Sequence, residues 1–292
     1  MVNPIDLHAH SVYSDGSRTP AELVAEAVAA GVRVLGLTDH DTLAGVAETV
    51  RLGAAAGIRV IAGVEMSTSL PLGVETLRRV PLHILGYLVD PADEELDDTL
   101  AFYARARARR IRRMVERLGV IGRPVSSERV FALAGLGTVG RVHVARALVE
   151  AGHAADIADA FAGLIGRDGP AYVPRPAVDA EETIRLIRRA GGVPVLAHPM
   201  DYAPLTDLDL LLGRLVPAGL AGLEAAYGGY DDATRAVLQE TADRHGLLTT
   251  GGSDYHGPDI KADRPLGMEP VPAETVAALD EAAAAIQSGR RP

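Results

Sequence analysis

Cysteine is absent from this chain, so neither a disulfide framework nor thiolate chemistry is open to it. Tryptophan is absent too and aromatics make up only 4% of residues, which leaves Ala, Val, Leu and Ile to build the core. Lysine occurs once, at Lys261, so guanidinium groups carry nearly all the positive charge. No uninterrupted apolar run approaches the ~18 residues of a membrane span. No basic start followed by an apolar stretch marks a signal peptide, and a cytoplasmic protein without a membrane partner is expected. The net charge of −10 argues against a large nucleic-acid surface, which needs basic residues. It does not exclude a small anionic substrate, because bound divalent ions and local arginines reverse the sign inside one pocket.

What is present is enough for a packed core: 292 residues, 48% of them apolar, fit one large α/β domain or two ordinary ones. Short apolar segments at 5–8, 32–37, 59–64 and 83–88 read as strands. Helical patterns at about 20–30 and 43–56 alternate with the first three of them. Thr19-Pro20 is a helix start and Gly31 a helix stop. This alternation predicts a parallel sheet with crossover helices. After Pro91 the rhythm changes. An arginine-rich helix runs from about 93 to 118, and shorter helices follow at 126–134, 142–151 and 154–160. Residues 99–173 therefore read as a helical insertion, with an α/β first part at 1–98 and a second part at 174–292. Alternation resumes with helices at 180–190, 207–216 and 230–245, strands at 193–197, 220–224 and 247–250, and a last helix at 273–287.

The stretch Ile5–Asp41 concentrates three histidines (His8, His10, His40) and four aspartates (Asp6, Asp15, Asp39, Asp41) around one short helix. His8 and His10 are two residues apart, so on an extended segment both imidazoles point to one side. Such a pair at a strand end is a claw for a divalent metal. Any single histidine here would more readily be a surface or satisfied core residue; the recurrence of ligand types at one strand end after another decides otherwise. The polar residues gathered there are His8, His10, Asp15, His40, Glu65, His83, His198, Asp254 and His256, six imidazoles and three carboxylates. That mixture suits Mn, Fe or Zn better than Mg or Ca, and its size exceeds what one ion needs, so two or three divalent ions are expected. A carboxylate bridging two ions suits phosphoryl transfer.

The segments that carry these residues, DLHAHSVYSDG, TDHD, GVE, the isolated His83, AHP and GSDYH, resemble the successive motifs of the PHP (polymerase and histidinol phosphatase) superfamily along essentially the whole chain. The resemblance implies a distorted (β/α)7 TIM-like barrel with a trinuclear centre. One metal would take His8, His10, Glu65 and Asp254. A second would share Glu65 and add His83 and His198, and the third would use Asp15, His40 and His256. SDGSRTPAELVAEA, TDHDTLAGV and the insertion segments GRVHVARALVEAG and GRDGPAYVP are similar to the TrpH/RNase AM branch. Its members include 3',5'-nucleoside bisphosphate phosphatases and 5'→3' exonucleases on short RNA. The match implies that Arg107 or Arg110, together with Arg141, contacts a second phosphate of the substrate. Arg167-Asp168-Gly169 departs from the branch, which often carries a basic residue before the proline.

The expected activity is therefore metal-dependent hydrolysis of a phosphate ester of a nucleotide or short oligonucleotide. Glu65 would be the bridging carboxylate, and His256 would help neutralise charge on the phosphate oxygens. Asp39, His198 and His256 remain open as the general acid, and Asp39 could instead orient His40. Arg141, at a helix start, is the best-placed ligand for the second phosphate. His143 is either functional or a half-buried helix residue, and Tyr172 and Tyr255 either stack on a base or pack. His153 and His245 read as surface residues, and Asp6 and Asp41 as structural ones. Two rivals stand beside this reading: a histidinol-phosphatase-type enzyme, against which the insertion argues, and a metal-binding regulatory module without turnover, which would be expected to lack some ligands. Nothing in the sequence fixes the oligomeric state.

Overall fold

The structure, a computed structural model, describes residues 3–71, 79–135, 137–174, 178–202 and 205–289. Every residue of β1 (Ile5–Ala9) is buried. Helix α1 (Pro20–Ala30) starts at a capping box, in which Thr19 Oγ1 accepts from the Glu22 backbone N–H while Glu22 accepts from that of Thr19. It ends where Gly31 turns left-handed at φ 85°. Then come β2 (Val34–Leu37), α2 (Val46–Ala55), β3 (Arg59–Pro71) and β4 (Arg79–Tyr87). The helical stretch holds α3 (Glu94–Val120), α4 (Ser127–Ala134), α5 (Arg141–Glu150) and α6 (Ile157–Ala160), the last running into a π-turn at Phe161–Ile165. The chain closes with α7 (Ala180–Arg189), β5 (Val193–Leu196), α8 (Leu205–Leu215), β6 (Gly222–Tyr227), α9 (Asp232–His245), β7 (Leu248–Gly252) and α10 (Glu274–Gln287).

The strands form one seven-stranded sheet in sequence order, β1 to β7. The sheet curls until β7 meets β1. His10 N–H donates to Tyr255 O at 2.8 Å and Tyr255 N–H to His8 O at 3.2 Å. Contact at this seam is so close that a Cβ on Gly252 would lie 2.4 Å from the His8 backbone nitrogen. The result is an α/β barrel of the distorted (β/α)7 kind, as expected.

Two expectations need correction. The sheet is mixed rather than parallel, because β4 runs antiparallel to both β3 and β5. Only residues 72–78 separate β3 from β4, and a parallel return needs a dozen or more. In addition, β3 extends well past Glu65 and β4 begins before His83. Glu65 and His83 therefore sit inside the strands of a hairpin, Ser67 opposite His83, rather than at strand ends.

Helix α3 joins the two parts of the molecule. Its Leu96 and Leu100 pack with the barrel residues Ile184, Ile187 and Leu211. Its Ile111, Met114 and Leu118 pack in a separate cluster with Val130, Val144, Leu148 and Ile165 of the insertion. The boundary drawn at residues 98/99 thus falls within one continuous helix. No helix among the described residues is long and apolar enough to cross a membrane.

Asp6 fastens the seam. Its buried carboxylate accepts from Ser253 N–H (3.0 Å), Ser253 Oγ (2.6 Å) and Gly267 N–H (2.8 Å). Replacing Asp6 by Ala leaves buried donors unpaired at about 1–3 kcal/mol each, so urea unfolding should show a loss of roughly 3 kcal/mol or more. A loss below about 1 kcal/mol would show that the seam closes without this carboxylate.

Candidate metal centre

Glu65, in the middle of β3, is almost fully buried and collects five imidazoles. Its Oε2 lies 3.3 Å from His8 Nε2, 3.2 Å from His10 Nε2 and 3.2 Å from His40 Nδ1. Its Oε1 lies 2.5 Å from His83 Nδ1 and 2.9 Å from His198 Nε2. Asp254 Oδ1 stands 3.2 Å from His10 Nε2 and 3.5 Å from His8 Nε2. Ligands around an ion at about 2.1 Å are about 3.0–3.4 Å apart in octahedral or tetrahedral order, so these separations match the edges of a coordination polyhedron. Buried His10 Nε2, His40 Nδ1 and Asp15 Oδ1 lie 3.2–3.3 Å from other ligand atoms but make no well-directed hydrogen bond among the described residues, as expected of atoms reserved for a cation. The donor set therefore fits divalent metal ions.

Among the described residues three groups of ligand atoms meet within 4.8 Å: His8, His10, Glu65 and Asp254; His10, Asp15, His40 and His256; and His40, Glu65 and His83. The first is the expected set. In the second, His10 joins Asp15, His40 and His256, but its Nε2 already faces Glu65 and Asp254 while its Nδ1 meets Ser14 Oγ at 3.4 Å. The third has His40 where His198 was expected, although His198 still touches the same Glu65 oxygen as His83.

Hydrogen bonds fix which imidazole nitrogen is left for a metal. His8 Nδ1 pairs with Glu224 Oε1 at 2.9 Å, leaving Nε2 toward Glu65 and Asp254. His256 Nδ1 pairs with the Asp254 carbonyl at 2.8 Å, leaving Nε2 at 3.3 Å from Asp15 Oδ1. Burial alone would raise the pKa values of Asp15, Glu65 and Asp254. The surrounding imidazoles, joined at Asp254 by Lys261, instead hold all three well below the usual carboxylate range. Burial pushes His40 and His256 down, toward the neutral form that ligates. Two of these ligands have strained backbones, His198 at φ 27° and Asp254 at φ 54°; the neighbouring Asp41 is also left-handed at φ 52°. Such strain costs of order 1–3 kcal/mol per residue and clusters at functional sites.

The centre opens into a cavity of about 820 Å3 whose wall includes Asp15, His40, Glu65, His83, His198, Asp254 and His256. Arginines 79, 107, 110, 141 and 167 line the same cavity. Arg107 is braced by Asp41 Oδ2 at 2.5 Å and Ser67 Oγ at 2.8 Å, which gives the structural Asp41 its task. Arg110 donates to Val173 O at 2.6 Å and lies over the Tyr172 ring. Arg141 stacks over Phe161 and Tyr172. All three sequence-chosen arginines, together with Tyr172, thus reach the cavity.

Other expected residues do not. Asp39 is no partner of His40 and does not line the cavity: its oxygens accept from Ser11 N–H (2.7 Å), Ser11 Oγ (2.6 Å) and Ser14 Oγ (2.6 Å). It braces the loop that carries Asp15, and the general-acid role does not fit it. His143 accepts the Gly140 N–H at 2.9 Å, capping its own helix, and faces a neighbouring cavity. Tyr255 belongs to the barrel seam, bonding Glu26. His153, which bonds Pro124 O, and His245, which bonds Asp209, were read as surface residues and lie outside the cavity. Sequence reading missed Glu224, whose two oxygens hold His8 Nδ1 and the His198 backbone N–H (2.7 Å). Its signal was a lone carboxylate in the otherwise apolar strand GLEAAY.

A buried cage of imidazoles and carboxylates opening on an arginine-lined cavity defines a metal-dependent phosphoesterase. The model of the PHP domain family matches residues 6–116. The chain is 35% identical over 260 residues to the 3',5'-nucleoside bisphosphate phosphatase of Chromobacterium violaceum, with 87% of each chain covered. It is 36% identical to a 5'-3' exoribonuclease of Salmonella typhimurium, over 87% of this chain and 85% of that one. Among solved structures, a candidate metal-dependent phosphoesterase of Bifidobacterium adolescentis superposes with a TM-score of 0.83 at 34% identity, covering 95% of both chains. This chain belongs to the PHP family.

Glu224→Ala frees His8 and the His198 backbone at once. Metal affinity, measured by competition with a chelator, should fall about 10- to 100-fold, as for lost partners of metal-bound histidines elsewhere. Unchanged affinity would mean that Glu224 serves only packing.

Proposed function

We propose that this chain removes phosphate from nucleotides, and that its preferred substrate is a 3',5'-nucleoside bisphosphate losing its 3'-phosphate. The observation that carries this reading is one cavity holding both the metal ligands and the cluster Arg107, Arg110, Arg141 and Arg167. One phosphate would meet the metals and the other the arginines, whose planar forks suit phosphate oxygens. Residues 99–173 act as a cap that supplies these arginines. Action on short RNA from the 5' end, which the name of the Salmonella relative describes, uses the same chemistry. The neighbouring cavity, which shares Ile260 with the first, carries Glu48, Glu150, Asp156 and Asp259 against Arg146. That balance disfavours a phosphodiester backbone beyond the first residues and supports a mononucleotide.

Two or three divalent ions, Mn in preference to Fe or Zn, are held by His8, His10, Asp15, His40, Glu65, His83, His198, Asp254 and His256. When bound, such ions supply Lewis acidity toward phosphoryl oxygens and acidify a water for in-line attack. The protein's own part is orientation. Arg107 is held against Asp41 and Ser67, so its guanidinium enters substrate contact already ordered. Arg141, stacked on Phe161 and Tyr172, faces the second phosphate. His198 and His256 line the cavity as metal ligands, which leaves the departing oxygen to take its proton from solvent. A histidinol phosphatase would leave the arginine cluster without a task. A regulatory module would have no need of the complete ligand set.

Phosphate release by Mn2+-loaded protein should be fastest with 3'-phosphoadenosine 5'-phosphate, beside AMP, histidinol phosphate and a 5'-phosphorylated oligoribonucleotide. Preference for histidinol phosphate would overturn the substrate, and no release at all would favour the regulatory module. Arg141→Ala should lower kcat/KM for the bisphosphate about 10- to 100-fold, the range for one charge-assisted hydrogen bond, and much less for AMP. Equal losses would take Arg141 out of second-phosphate binding.

A further inference from the structure

The chain's only lysine stands at the metal centre. Lys261 Nζ lies 2.5 Å from Asp254 Oδ2, and its side chain, about 35% exposed, lines the catalytic cavity. The turn that presents it is closed by Lys261 N–H on Gly257 O (2.9 Å) and Arg264 N–H on Lys261 O (3.3 Å). Asp254 Oδ2 does not need it for satisfaction, because Tyr227 Oη donates to the same oxygen at 2.9 Å. With two donors on Oδ2, Asp254 turns only Oδ1 toward His8, His10 and His256. An ammonium has three N–H donors, and Asp254 is its only hydrogen-bond partner among the described residues. The remaining protons are left for an acceptor in the cavity, beside the ligands of the first metal group.

We propose that Lys261 is a catalytic residue that binds a non-bridging oxygen of the scissile phosphate while holding Asp254 to a single metal-facing oxygen. The assignment rests on the phosphoesterase reading and divides the cavity's positive charge by role: Lys261 serves the phosphate that is cleaved, Arg141 the one that stays. In the reaction the water oxygen forms its bond to phosphorus as the ester P–O bond breaks. The water's proton leaves to solvent or a base, and the departing oxygen takes up a proton from solvent. Lys261 keeps its own protons throughout and acts on the charge of the phosphoryl oxygens, which a compact ammonium suits.

The test is titration calorimetry of inorganic phosphate into Mn2+-loaded protein, beside metal content and steady-state kinetics, for wild type, Lys261→Gln and Lys261→Arg. Lys261→Gln should keep its metal and bind phosphate about 10- to 100-fold more weakly, the range for a lost charge-assisted hydrogen bond. Its kcat/KM should fall equally for AMP and the bisphosphate, unlike Arg141→Ala, and Lys261→Arg should recover part of both losses. Metal loss in step with activity, with phosphate affinity intact on the loaded fraction, would reduce Lys261 to a counter-ion of Asp254 and overturn the proposal. Unchanged phosphate affinity in fully loaded Lys261→Gln would overturn it too. Because phosphate binding is read without a substrate, failure of the nucleotide reading would show separately, as a wild type that binds phosphate but hydrolyses none of the esters.

Discussion

One buried carboxylate organises this molecule. Glu65 is in contact with His8, His10, His40, His83 and His198 from four separate stretches of chain, and each oxygen serves its own set of imidazoles. A lone carboxylate accepts only about four hydrogen bonds, and three buried carboxylates at one site repel unless cations lie between them. The barrel is shaped to hold this arrangement. Strand β3 carries Glu65 past the end of its parallel neighbour, the β3–β4 hairpin brings His83 across from Ser67, and the seam between β1 and β7 sets His8 and His10 beside Asp254. Strain at His198 and Asp254 is tolerated because Glu224, Tyr227 and Lys261 hold both residues in place.

Around that centre a ring of partners decides orientation rather than chemistry. Glu224 sets His8, the Asp254 carbonyl sets His256, Asp39 braces the loop of Asp15, and Asp41 braces Arg107. The insertion adds what a bare barrel lacks. Because α3 begins in the barrel core and ends in the insertion core, Arg107 and Arg110 are rigidly related to the metal ligands. Pre-ordering of this kind lets an anionic group be gripped without a large loss of side-chain freedom.

All nine expected metal ligands meet at one place, and they were legible because metal chemistry restricts residue types and spacings, as in the His8–His10 pair. Helix boundaries with strong caps, such as Thr19 and Gly31, were legible for the same kind of local reason. The direction of β4 was not read, since an apolar strand has no sequence mark of direction; the short 72–78 connection held the clue. Glu224 went unnoticed because a carboxylate that orients a histidine has no motif of its own and is recognised only when the fold supplies the partner. The roles of Asp39 and His143 stayed open in the sequence for a related reason. Both are polar residues next to ligands or arginines, and only three-dimensional packing shows that Ser11 and Ser14 take one and the Gly140 N–H takes the other.

We propose that Glu65 is shared between metal ions. The direct test is the number of Mn2+ ions bound per chain by wild type and by Glu65→Gln, measured by elemental analysis after equilibrium dialysis. Two or three ions are expected in the wild type, with the joint loss of at least two in the variant and the barrel's circular dichroism unchanged. Loss of a single ion, or of none, would contradict it and leave Glu65 as an ordinary ligand of one site.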